Sequence, residues 1–214
     1  MPSRYIVSIY RTERTGTDSM IELAILGLLK DRPMHGYQLS RELAEQLGGL
    51  WRVSYGSLYP TLRRLEREGA IEGATGDGGG RRKTVYGITA AGERLFFELL
   101  EEAPQEGAQV EDTRFRVRLA FFRYLPPETR IRLLERRRTR MEQRLAAINS
   151  RLRDASAIDD YQRALMQHGR AATEADIAWL NELIHQERAT YGITSPVGER
   201  RRAHATLRRK EQTP

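Results

Sequence analysis

SYGSLYPTLRRLEREGAIEG, residues 54–73, joins a short helical pattern to the start of an extended one. Leu58, Leu62 and Leu65 recur at i, i+4 and i+7 and predict one buried side, while Tyr55, Tyr59, Arg63 and Arg67 follow at fours around the other. Pro60 lacks an N–H and fits a helix only in its first turn, so the expected helix runs over 57–68, with Ser57 as N-cap and 54–56 as the entering turn. Surface arginines alone would suit any solvated helix. Two large amphipathic rings and a proline near the N-terminus would not, and they point to a helix laid in a groove. There N-terminal residues meet base edges, hydroxyls bond phosphates, and arginine grips guanine in a bidentate manner.

The flanking sequence supplies the rest of a small domain. Upstream, MIELAILGLLKD is apolar on nearly every side and predicts a helix buried all round, opening at Met20 with Asp18 or Ser19 as cap. HGYQLSRELAEQLGG follows, with Tyr37, Leu39, Leu43, Ala44 and Leu47 on one face and Gly48-Gly49 as the stop. Downstream, AIEGAT and TVYGIT alternate on either side of GDGGGRRK and predict a β-hairpin with a basic, glycine-rich tip at 76–83. Thr89 caps a further helix with Ala91, Leu95 and Leu99 as its stripe and Phe96 beside it. The order helix, helix, helix, hairpin, helix is that of a winged helix-turn-helix, assigned to 20–103 and preceded by an extension at 1–19. His35, in the turn between the first two helices, is read as packing or turn chemistry.

The glycine-rich tip also invites a phosphate-loop reading, which its chemistry rejects. A Walker loop needs glycine directly before Lys-Thr, where Arg82 stands, and a strand-to-helix turn rather than a hairpin. As a wing, Gly78, Gly79 and Gly80 let the backbone approach closely, and Arg81, Arg82 and Lys83 neutralise phosphates.

Residues 104–112, PQEGAQVED, read as a linker, and 113–191 as a helical dimerisation domain. Phe115, Leu119 and Phe122 share one helical face before Pro126-Pro127. Pro127 suits the first position of a long helix expected from Glu128 to His168. Along it Met141, Leu145, Ile148 and Leu152 repeat in fours and threes, the spacing of a coiled-coil seam between subunits. Arg136, Arg137, Arg138 and Arg140 are assigned to its solvated face. Thr173 and Asp176 open a last helix, in which Ile177, Leu180 and Ile184 join the dimerisation set, and which ends near Gly192. The basic tail, 192–214, has no apolar period and is expected to be disordered.

Composition limits the alternatives. The 214 residues contain no cysteine, which excludes disulfides, thiolate nucleophiles and sulfur-ligated metals. The four histidines, His35, His168, His185 and His204, show no zinc-ligand spacing, so neither metal nor cofactor is expected. No apolar run approaches the roughly 18 residues of a membrane span, and Arg4, Arg11, Glu13 and Arg14 interrupt any secretory leader. The chain is therefore expected in the cytosol. A net charge of +7 favours an anionic partner, and no acid-base pair or nucleophile suggests an enzyme.

LAILGLL, PMHGYQL, SYGSLYPTLRRLEREGAI and the Y-x-I-T-x-x-G of 86–92 together resemble the PadR family, transcription factors of the phenolic acid decarboxylase regulator type. The region 113–191 is similar to the helical C-terminal domain of its longer members. The resemblance implies a mainly α, winged-helix homodimer that binds operator DNA, more often as a repressor than as an activator. It places Tyr55, Ser57, Tyr59, Pro60 and Arg63 toward double-stranded DNA, with Gly80 to Lys83 as the wing, and Arg64 is grouped with them. It departs at Gly87, where members usually carry a larger, often basic residue. Trp51 and Trp179 are candidates for a small-aromatic effector pocket, against a reading as core packing. A winged-helix module that docks proteins without specific DNA binding is the alternative.

Overall fold

The computed structural model describes residues 16–47, 55–76, 83–102, 108–153 and 159–193. Their order is α1 (Gly16–Asp31), β1 (Met34–His35), α2 (Gly36–Leu47), α3 (Tyr55–Arg67), β2 (Ile71–Gly76), β3 (Lys83–Ile88), α4 (Ala90–Glu101), α5 (Ala108–Leu119), a 3-10 turn (Phe122–Tyr124), α6 (Pro127–Arg153) and α7 (Asp160–Tyr191). The fold is mainly α, with one small sheet in the order β1-β3-β2, all neighbours antiparallel. Two compact units divide after Tyr124.

In the first unit α1 is the centre. Met20, Ile21, Leu23, Ala24, Ile25, Leu26, Leu28 and Leu29 are all buried, as expected of a helix apolar on every side. It begins at Gly16, so Asp18 and Ser19 lie in its first turn rather than capping it. Mid-helix Gly27 is a packing device, since a Cβ there would come within 2.4 Å of the Phe121 ring. On α2 the buried set is Gly36, Leu39, Leu43 and Leu47. Tyr37 and Ala44, expected with them, are exposed. Tyr37 sits two residues before Leu39, about 200° away on a helix of 3.6 residues per turn.

The strap between α3 and α4 explains the recurring Gly and Thr of this segment. Gly69 adopts φ +71 and closes α3 as its residue past the cap: its N–H donates to Glu66 O at 3.0 Å and that of Ala70 to Leu65 O at 2.8 Å. Thr89 caps α4 as expected, its hydroxyl accepting from Gly92 N at 3.1 Å. The same hydroxyl donates to Gly69 O at 2.7 Å, tying the two helix ends together. Gly92 is obligatory, because a Cβ would lie 1.9 Å from Ala70 O. The buried face of α4 is Gly92, Phe96, Leu99 and Leu100, offset from the expected Ala91, Leu95, Leu99 stripe.

The boundary expected at 103 moves. Part of the expected linker is helical, since α5 starts at Ala108, and α5 packs on α1 within the first unit. Buried Arg114 fixes it there, donating to Ser19 Oγ at 2.7 Å and pairing with Glu102 at 3.1 Å. Phe115 and Phe122 do not share one continuous helix, because α5 ends at Leu119, yet their rings meet edge to face at 6.3 Å. Both are buried in the chain's own core, with Leu119 partly so, which corrects their assignment to a subunit interface. Arg123 and Tyr124 both hydrogen-bond Asp31, closing the unit on the end of α1.

The second unit is a helical hairpin. The expected single helix from Glu128 to His168 is two: α6 ends at Arg153, and α7 starts at Asp160 with Asp159 as N-cap, accepting from Tyr161 N and Gln162 N at 2.8 and 2.9 Å. The separate last helix from Thr173 is the second half of α7, which Gly192 ends at φ 64. Arg130 bonds Glu187 at 3.0 Å and Arg138 bonds Asn181 at 3.1 Å, so the two helices run antiparallel. Met141, Leu180 and Ile184 are buried between them and Leu145, Ile148, Leu152 and Ile177 half-buried. The fours-and-threes seam therefore joins α6 to α7 of the same chain. Arg137, expected in solvent, is 5% exposed. Among the described residues no helix is long and apolar enough to cross a membrane.

Candidate nucleic-acid interface

Helix α3 is amphipathic in the sense expected. Leu58, Leu62 and Leu65 are fully buried, whereas Tyr59, Pro60, Arg63 and Arg67 are exposed. The expected start at Ser57 is replaced by Tyr55, which puts Pro60 beyond the first turn. The cost is local: the carbonyl of Gly56 has no amide donor four residues on, and Thr61 Oγ1 back-bonds Ser57 O at 2.8 Å on the next rung. Ser57 itself is half-buried.

Arg64 departs from its expected role. Its guanidinium lies 2.9 Å from the carboxylate of Glu22, which is fully buried on α1, and 3.7 Å from Asp18. The arginine next to it in sequence points outward and this one inward, so Arg64 anchors the helix instead of joining its outer face.

Around Tyr59 the fold gathers residues from three elements. His35, Gly36, Tyr37 and Gln38 at the start of α2, Tyr59 of α3, and Thr84 and Tyr86 of β3 line an open cleft of about 520 Å3. β1 was not anticipated, because two residues are too few to show a period. It carries His35, whose Nδ1 lies 3.2 Å from Thr84 O and whose N–H donates to Gln38 Oε1 at 2.9 Å. That bears the turn reading of His35. Gly36 makes room for the Tyr59 ring, 3.0 Å from where its Cβ would be. Burial pushes the Tyr86 phenol above its ordinary value, Glu66 and Tyr59 add to the shift, and Arg63 opposes it. Tyr37, 66% exposed beside Tyr59 at 40%, is a candidate that sequence reasoning had placed on the apolar face.

Along the hairpin, Ile71 to Gly76 pair in register with Ile88 to Lys83. Lys83 opens β3, while the tip residues Gly80, Arg81 and Arg82, like Trp51 and the side chain of Tyr55, lie outside the described residues. A Cβ at Gly87 would meet nothing within 4 Å, so the departure noted there is not enforced by packing. Trp179 is 45% exposed on α7.

Two family models match. One, described as the transcriptional regulator PadR-like family, covers residues 25–98, and another, virulence activator alpha C-term, covers 113–187. A transcriptional regulator of Mycobacterium tuberculosis is 38% identical over 89 residues, 40% of this chain and 80% of the relative. The negative transcriptional regulator PadR of Bacillus subtilis is 33% identical over 82 residues, 38% of this chain and 45% of the relative. Among solved structures, the crystal structure of Bacillus subtilis PadR in complex with operator DNA is similar at 21% identity and a TM-score of 0.39, covering 78% of this chain and 98% of that one.

Proposed function

Because the chain belongs to the PadR-like family of transcriptional regulators, we propose that it is a homodimeric repressor that binds a near-palindromic operator. Each subunit lays α3 in a major groove and its wing, 76–83, along the flanking backbone. Tyr59 and Arg63 read base edges, Tyr55, Ser57 and Pro60 fix the approach, and Gly80, Arg81, Arg82 and Lys83 neutralise phosphates. Tyr37 joins them as a phosphate donor at the first turn of α2.

The observation that carries this reading is the split of α3. Three leucines are buried to the last atom or nearly so, and the residues at 59, 63 and 67 stand in solvent beside a tyrosine-lined cleft. Local charge supports it too, since Arg64 is neutralised within the fold while Arg63 remains on the outer face.

The test is selection from a random duplex pool at physiological salt. The reading requires enrichment of two inverted half-sites whose centres lie about 10 base pairs, or a multiple of that, apart. A pool that stays random, with affinity no better than for any duplex, would contradict it and favour a protein-docking module.

A further inference from the structure

The outer side of α3 carries an acid among its cations. Pro60, Arg63, Glu66 and Arg67 are all exposed and line one open hollow of about 600 Å3. Elsewhere in this unit carboxylates stand against cations, Glu22 at Arg64, Glu42 at Arg32, Glu93 at Lys30 and Glu102 at Arg114. Among the described residues no ion pair joins Glu66 to Arg63 or Arg67, although the three share the hollow.

The strand beneath sets the place of Glu66. A Cβ on Gly73 would come 2.5 Å from Glu66 Oε1 and 3.5 Å from the ring of Tyr86, the residue that faces Gly73 across the β2-β3 ladder. Glycine weakens a strand interior, and here it leaves room for the carboxylate and the ring together. The Tyr86 phenol registers the arrangement. Burial raises it most, Glu66 and Tyr59 raise it further and Arg63 opposes them, so Arg63 and Glu66 bear on one spot with opposite sign.

We propose that Glu66 is the specificity filter of this face: its carboxylate, seated over Gly73, keeps phosphate away from Arg63 and leaves that guanidinium to base edges. The inference rests on the operator-binding reading above and deepens it. A phosphate drawn to Arg63 brings a full negative charge up to a fixed carboxylate, whereas guanine O6 and N7 carry no net charge and meet no such repulsion. Without the carboxylate, Arg63 would serve either acceptor, and every duplex offers phosphates at every step. Discrimination gains as much from a penalty on the wrong partner as from a contact to the right one. Glu66 supplies that penalty, Arg63 the contact and Gly73 the seat.

The test measures binding of wild type and Glu66→Gln to two duplexes, one of random sequence and the one selected above, over a range of salt concentrations. On the random duplex Glu66→Gln is expected to bind about fivefold to tenfold more tightly at low salt, with a dependence on salt steeper by about one phosphate contact. Affinity for the selected duplex should change far less, so the ratio between the two falls. A variant that merely disturbed the fold would lose affinity on both, and thermal unfolding should be unchanged. Glu66→Asp, which keeps the charge, should behave as the wild type does.

The same substitution made in an Arg63→Ala background ties the effect to its cation: there the gain on random DNA should disappear. An equal gain with and without Arg63 would overturn the proposal in favour of a general change in surface charge. It would be overturned equally by no gain on random DNA, or by a loss confined to one base pair of the selected duplex, the mark of a carboxylate that accepts from cytosine. Each of these results leaves operator binding standing. A wild type that prefers no duplex over random sequence would overturn both.

Discussion

Arg64 of α3 and Glu22 of α1 face each other at 2.9 Å, with Glu22 at 0% side-chain exposure and Arg64 at 29%. A carboxylate in that position needs its cation. Arg64→Ala is expected to destabilise the protein by about 2–3 kcal/mol, below the ~3–5 of a fully buried pair because Arg64 is partly screened. Glu22→Gln combined with Arg64→Met should recover most of that loss in denaturant unfolding. The salt dependence of DNA binding should be the same for the double variant as for the wild type, since Arg64 touches no phosphate in this account.

Gly92 and Gly69 hold one strap by different means. Gly92→Ala forces a methyl group to 1.9 Å from Ala70 O, a backbone atom that cannot swing aside. A loss of about 3 kcal/mol or more is expected, in the range of overpacked sites. Gly69→Ala meets no atom but must hold φ +71, at a cost of about 1–2 kcal/mol. Thermal unfolding of the two variants checks both the order and the size.

The Tyr86 phenol titrates above its ordinary 10.0 because burial, Glu66 and Tyr59 all favour the neutral form. A folded-state value raised above the unfolded one contributes stability that is complete below pH 10.0 and disappears as pH rises through the folded value. Arg63→Ala removes the opposing cation and should move the transition higher still. Ultraviolet difference titration, with Tyr86→Phe to identify the band, measures the direction.

Gly87 offers a gain. A side chain there meets nothing within 4 Å, and a strand interior is a poor place for glycine. Gly87→Lys should stabilise the hairpin by up to about 1 kcal/mol. If the wing lies on the DNA backbone, it should also steepen the salt dependence of binding by about one contact. An unchanged slope would place this strand away from phosphate.

The outward side of α3 was legible because leucines at i, i+4 and i+7 leave little choice of which side is buried. Thr89 and Pro127 announced their helices through capping chemistry. Other features carried no such signal. Two-residue β1 is too short to alternate, and Glu22 looks like an interruption in an apolar helix until its partner is seen. The break after Arg153 lacks proline and glycine, so the apolar period ran through it, although Asp159 was a readable cap. The Met141 seam was a true helix-packing pattern, but spacing cannot say whether the second helix belongs to the same chain. Arg63 and Arg64 are chemically alike, and only the position of α1 separates the outward one from the inward one.

The most direct test of the central claim compares wild type and Arg63→Ala on every single-base-pair variant of the selected duplex. If the outer side of α3 reads bases, the variant loses about 1–3 kcal/mol of discrimination at one position in each half-site and keeps the rest, with stability unaltered. Equal discrimination by the two proteins at every position would contradict the account.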